Sequence, residues 1–171
     1  MSRGLVLCLQ LLLISGCGFH LRTYSFETGL RTYALQAPER YLVVPPLRAA
    51  LRQAKVEAAP ASDADLVLQL LDQRSERRNA STAGGARAVE YEVLYAVQYQ
   101  ILNAQGEELA APTWVQRQRI FRLDRGNIVG SSEEQTLIQQ ELLQDTVSQI
   151  VRAMDTVSRR VAANPGTSDA G

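Results

Sequence analysis

From Tyr91 to Ile101 the chain alternates with a period of two. Tyr91, Val93, Tyr95, Val97, Tyr99 and Ile101 share one parity, while Glu90, Glu92, Gln98 and Gln100 take the other. Successive side chains of an extended strand point to opposite faces, so this stretch buries one face and wets the other. That pattern predicts an antiparallel sheet covered on one side only. The rest of the chain must supply its neighbours and its cover.

Neighbouring strands are legible on both sides. Arg31 to Ala37 alternates Tyr33 and Leu35 with polar residues, and Leu66 to Gln73 has a strongly apolar centre that continues polar through Arg77 and Arg78. Asn79 to Ala86, with Gly84-Gly85, has hairpin-tip composition. Asn103 to Glu107, with Gly106, is a turn into a further strand over Thr113 to Leu123. Pro45-Pro46 opens a helix, because the first helical turn has no use for the missing N–H; Leu47, Leu51, Ala54 and Val56 lie on one side of it. Pro60 to Asp65 is a turn-rich break, and Asp124 to Ser132 a second loop. Ser132 followed by Glu133-Glu134-Gln135 predicts an N-cap and an acidic first turn. Beyond it Leu143, Val147, Ile150, Val151, Met154, Val157 and Val161 recur at helical spacing. The expected architecture is α+β, a two-layer sandwich of order β-α-β-β-β-α with two helices on one face of a four-stranded mixed sheet.

The N-terminus carries an address. Arg3 precedes an apolar run, Leu5 to Ile14, broken only by Gln10, and Ser15-Gly16 supplies small residues before Cys17. This is signal-peptide anatomy, and the run is too short to span a bilayer. A cysteine directly after the small pair resembles the bacterial lipobox. Residues 1–16 are therefore expected to be cleaved, and Cys17 to carry an S-diacylglycerol and an N-acyl chain. The expected division is a tether over 17–29, a domain over 30–162 and a tail over 163–171 with disordered composition.

Composition narrows the chemistry. Cys8 leaves with the signal, and lipidation of Cys17 leaves the domain without a thiol, so no disulfide is expected. His20 is the one histidine and lies three residues from the anchor. There is no nucleophile elbow, metal-ligand spacing or glycine-rich phosphate loop, so neither an enzyme nor a metal or cofactor site is expected. A formal net charge of zero gives no reason to expect nucleic acid. Lys55 is the only lysine, and the other cations are arginines. A GC-rich genome accounts for that bias; so does a need for bidentate pairing with phosphate or carboxylate.

Two arginine clusters stand out. Arg74, Arg77, Arg78 and Arg87 flank the glycine-rich hairpin, opposed only by Glu76. Arg117, Arg119, Arg122 and Arg125 follow the later strand, opposed only by Asp124, with Trp114 and Phe121 beside them for apolar contact. One reading is a solvated sheet surface. The other is a site for an anionic head group or for acidic loops of a protein.

The heptad Gly16-Cys17-Gly18-Phe19-His20-Leu21-Arg22, the pair Glu90-Tyr91 and Glu133-Glu134-Gln135 at the long helix, in that order along the chain, resemble the LPS-assembly lipoprotein family LptE of Gram-negative outer membranes. The resemblance also takes in Gly106 with Leu109 and Pro112, and continues along the helix to Glu141, Asp145, Gln149-Ile150 and Arg152. It implies two helices against a four-stranded sheet. It also implies a non-catalytic outer-membrane lipoprotein, anchored on the periplasmic side, seated as plug and assembly partner inside the β-barrel LptD. The pair would insert lipopolysaccharide into the outer leaflet, the lipoprotein itself binding lipopolysaccharide, with no homo-oligomer expected. Gly18 after the lipidated cysteine is compatible with outer-membrane sorting. Some relatives carry a basic residue before the long helix where this chain has Ser131. Any positive charge for lipopolysaccharide must then come from elsewhere, and Arg77, Arg78, Arg87, Arg122 and Arg125 are the candidates. The alternative is a free-standing lipid carrier or chaperone lipoprotein, which needs an apolar cavity. A lipid-modifying enzyme dependent on His20 is the third reading.

Overall fold

The computed structural model describes residues 29–81, 88–124 and 128–164. Cys17, the signal segment, the glycine-rich tip and the last seven residues lie outside them. In chain order the elements are β1 (Thr32–Gln36), α1 (Val44–Gln53), β2 (Glu57–Ala58), a 3-10 turn (Ala61–Asp63), β3 (Leu66–Ser81), β4 (Ala88–Leu102), β5 (Glu108–Asp124) and α2 (Ile128–Ala163). They form one sheet in the order β2-β1-β3-β4-β5. β1 runs parallel to β2 and β3, and β3-β4-β5 is an antiparallel meander. The α+β class and the mixed sheet agree with the sequence.

The sheet has five strands, not four. The extra member is β2, formed as the chain returns from α1 through Lys55, which adopts a left-handed φ of 62°. The Glu57 amide then donates to the Arg31 carbonyl and the Ala59 amide to the Tyr33 carbonyl, both at 2.8 Å. Two exposed residues offer no periodicity to read; only the return geometry creates this edge.

Three boundaries also differ. α2 starts at Ile128, one turn before the expected Ser132 cap. The Ser132 hydroxyl donates to the Val129 carbonyl at 2.8 Å, bonding back within the helix instead of capping it. β3 continues past Arg78 to Ser81. β5 begins at Glu108 rather than Thr113, and takes in Pro112 where the pairing jumps from Tyr99↔Thr113 to Ile101↔Ala110. A proline is tolerated there because β5 is an edge strand and the ladder is already irregular.

Both helices pack on the face predicted by the Tyr91–Ile101 alternation. Leu47 and Leu51 of α1 and Val147, Ile150 and Met154 of α2 are completely buried against Leu68, Val97, Ile101 and Val115 of the sheet. Each such side chain contributes about 1.5–3 kcal/mol by leaving water. On the reverse face a small satellite core of Ala34, Ala64 and Val67 packs with Leu102 beside the 3-10 turn.

The two helices are very unequal. α1 has 10 residues and α2 has 36, so at 1.5 Å per residue they span about 15 Å and about 54 Å. α2 matches the length of the meander. α1 covers only the end nearest β1, here the proximal end. Beyond its mouth, toward Ser81 and Asp124, the distal sheet has a single helix above it. The start of α1 is fastened at this step by Gln73. Its Oε1 accepts from the Tyr95 hydroxyl at 2.7 Å and from the Val43 amide at 3.3 Å.

Candidate functional site

Strand parity sorts the arginines of the distal meander. Directly paired residues share a face, and Val93, Tyr95 and Phe121 belong to the helix-covered core. Arg77 pairs with Val93, Arg119 with Val93 from the other side, and Arg117 with Tyr95, so these three take the helix face. Arg78 pairs with Glu92 and Arg122 with Glu90, which places both on the reverse face with Arg74. The two clusters therefore flank β4 from either side, on β3 and β5, and the pleat divides each of them.

The reverse-face arginines are compensated. Arg74 bonds Asp72 at 3.0 Å, Arg78 meets Glu76 at 3.4 Å, and Arg122 meets Glu90 at 2.9 Å. Exposed pairs of this kind contribute about 0–1 kcal/mol each. They do neutralise the field an anionic ligand would feel. Arg74 also lies 4.4 Å from the Trp114 ring centre. Their strands β3 and β5 flank β4, whose Leu94 and Ala96 are both buried on this face.

Arg77 is different. Its guanidinium stands 4.9 Å from the Tyr91 ring centre and donates to Gln135 Oε1 of α2 at 3.2 Å. Both partners are neutral. On the same face Arg119 meets Glu141 at 3.5 Å, and Arg117 donates to Gln149 of α2. Of the candidate arginines, Arg77, Arg78 and Arg122 are thus seen on two faces, whereas Arg87 and Arg125 lie outside the described residues.

Beside Arg77, at the step left by α1, an open groove of about 340 Å³ runs between the sheet and α2. Val93 and Tyr95 form its floor, Leu142 and Leu143 one wall, and Leu42 stands at the mouth of α1. Burial pushes the Tyr95 hydroxyl far above its ordinary range, opposed only weakly by the backbone at Val43, so it stays a neutral donor to Gln73. Burial likewise raises Tyr99. Among the described residues no group of three His, Cys, Asp or Glu side chains could hold a metal, and no helix is long and apolar enough to cross a membrane.

Sequence reasoning missed the groove. It is created by the length difference between two helices, and the only local hint is an apolar Leu42 placed before the buried Val43 and Val44. Gln73, which holds the step, sits at the end of an apolar run where a polar residue looks unremarked.

Residues 30–154 match the family model LptE, lipopolysaccharide-assembly. The chain belongs to this family. It is 29% identical over 165 residues to an LPS-assembly lipoprotein LptE from Pectobacterium atrosepticum, covering 90% of this chain and 85% of the relative. Its fold is similar to an uncharacterized lipoprotein B from Nitrosomonas europaea, at a TM-score of 0.67 and 24% identity, with 84% of this chain and 94% of that one covered. It is also similar to the rare lipoprotein B of Shewanella oneidensis, at a TM-score of 0.65 and 24% identity, with 77% and 98% covered. These two likenesses establish the fold. The family resemblance is borne out by this match, which spans Glu90-Tyr91 and the long helix to Met154, while the heptad Gly16–Arg22 precedes the matched residues.

Proposed function

We propose that this chain is a non-catalytic lipoprotein of the outer membrane that serves as partner and plug of the LptD β-barrel and helps insert lipopolysaccharide into the outer leaflet. The family match over residues 30–154 carries this reading. The N-terminal Ser15-Gly16-Cys17 pattern supports lipidation of Cys17 with an S-diacylglycerol and an N-acyl chain, which together anchor far more firmly than one chain. Gly18 supports delivery to the outer membrane. A lipopolysaccharide contact on the distal meander is centred on Arg77, with Arg87, beyond the glycine-rich hairpin tip, as a second candidate. Arg78 and Arg122 are assigned a lesser part because each already faces a carboxylate.

A free-standing carrier fits the interior less well. Leu68, Val97, Ile101, Val115, Ile150 and Met154 fill the space between sheet and helices, leaving a packed core where a carrier of a many-tailed lipid needs a large enclosed cavity.

Affinity purification of the C-terminally tagged chain from envelope membranes tests the reading. Stoichiometric recovery of a barrel protein in detergent is the expected result, and it should persist for Cys17→Ala behind a cleavable signal. Recovery of a free monomer loaded with lipid would instead establish the carrier.

A further inference from the structure

We propose that the groove at the α1 step is an acyl-chain site, taking one linear alkyl chain of an anionic amphiphile whose charged head is held by Arg77. This deepens the lipopolysaccharide reading above, on which it rests, by naming the part of the lipid that is bound.

The lining sets the chemistry. Val93, Tyr95, Leu142 and Leu143 present an apolar trough, and Ser75, Thr136, Gln139 and Gln140 edge it with uncharged polar groups. Leu42 is 59% exposed while lining the same trough, so an occupant would cover a large aliphatic side chain now in water. A volume of about 340 Å³ lies at the lower end of the range of about 300–1,000 Å³ for ligand pockets. That suits one chain and excludes a whole many-tailed lipid. The groove is open, so remaining chains and sugars can stay outside it.

Arg77 supplies the polarity of binding. Its register partner Val93 is part of the floor, and its hydrogen-bond partner Gln135 lies one helical turn before Gln139 of the wall. The guanidinium therefore stands at the distal end of the trough. Its contacts among the described residues are a neutral amide and an aromatic face. Arg78, next in the chain, points to the reverse face and is paired with Glu76. A guanidinium that meets no carboxylate among the described residues, beside an apolar trough, matches a phosphate or carboxylate head followed by an alkyl chain.

The test uses the full lipidated chain in nanodiscs and a dodecyl phosphate carrying a photoreactive diazirine at its chain end. Labelling is expected on the peptides bearing Leu42 or Leu143, competed by unlabelled dodecyl phosphate and not by inorganic phosphate. Ser75→Trp and, independently, Thr136→Trp fill the trough from exposed positions and should each reduce labelling at least about tenfold; Arg77→Gln should do so through loss of a charged hydrogen bond. Labels elsewhere, or unchanged labelling in both folded tryptophan variants, overturn the proposal. Lipopolysaccharide binding is measured in parallel. If Arg77→Gln alone weakens it and the tryptophan variants do not, the head-group contact stands and the acyl site fails. If labelling behaves as expected but the wild type does not bind lipopolysaccharide, the acyl site stands for a different anionic lipid. Competition by inorganic phosphate alone would reduce the site to an anion contact at Arg77 and overturn the acyl assignment.

Discussion

The proximal and distal halves of the same sheet are built on different terms. Near β1 the sheet is roofed by α1 and α2 together, and Leu47, Leu51, Leu68, Ile101 and Met154 are fully buried. Beyond Gln73, β3 presents Ser75, Arg77 and Asn79 to the helix side, all exposed, under α2 alone. The proximal half is a core, where volume and shape decide stability. The distal half keeps a thinner core, with Val93 and Phe121 buried under α2, and its β3 side is a surface where charge and contact decide what can bind. A helical cover that stops early leaves an open groove beside a closed core in the same sheet.

That contrast can be broken by mutation, and the largest effect belongs to the proximal half. Leu68→Ala should cost about 2–5 kcal/mol in urea unfolding, because a closed core relaxes only partly around the cavity. An equally large loss from a distal surface residue such as Ile120→Ser, which starts 63% exposed, would erase the distinction; a change within about 0.5 kcal/mol is expected.

The junction between the halves is next. Gln73→Leu removes the shared acceptor of the Tyr95 hydroxyl and Val43 amide and should cost about 1–3 kcal/mol, since both donors lose their partner in a partly buried place. Hydrogen exchange should accelerate at Val43 and the start of α1 while the proximal core of β1 and β3 stays protected.

A smaller effect, dependent on pH, marks the proximal end. Partial burial raises the Asp65 carboxyl, but amide donation from Thr32 and Arg31, both at 2.9 Å, and the Thr32 hydroxyl outweigh it and leave the group below its ordinary 3.8. A lowered folded-state pKa means that Asp65 stabilises fully above that ordinary value, and the contribution fades as pH falls through the depressed one. Asp65→Asn should therefore destabilise at pH 7, and the two unfolding curves should converge in acid. A constant gap down to the lowest accessible pH would show that geometry, not charge, carries the contact.

The smallest effects on stability are expected on the distal reverse face. Arg78→Gln and Arg122→Gln should each stay within about 0.5 kcal/mol, because both pairs are solvent-exposed. Their lipopolysaccharide affinity should also change less than that of Arg77→Gln, measured on the folded variants.

Much of this was legible before any coordinates. The Tyr91–Ile101 alternation specified which face is buried, since the period of a strand admits no other assignment. The helix stripe from Leu143 to Val157 and the prolines at the mouth of α1 were equally direct. β2 was not, because two residues cannot show a period. The start of α2 was misplaced, because Ser132 has the composition of a cap while its hydroxyl is bonded one turn back. For the arginines, parity could have separated Arg77 from Arg78, but their carboxylate partners depend on which strand lies alongside and in what register.

By itself, then, the sequence determined the class of fold, the buried face of the meander and the family, because these rest on local periodicity and on short motifs carried in order along the chain. Tertiary structure alone decided that α1 stops short of the distal sheet, that Glu57-Ala58 closes an edge, and that Arg77 stands beside an apolar trough while Arg78 and Arg122 are neutralised. Those are relations between elements distant in the chain. They are set by helix length against sheet length and by strand register, which no single stretch of residues encodes.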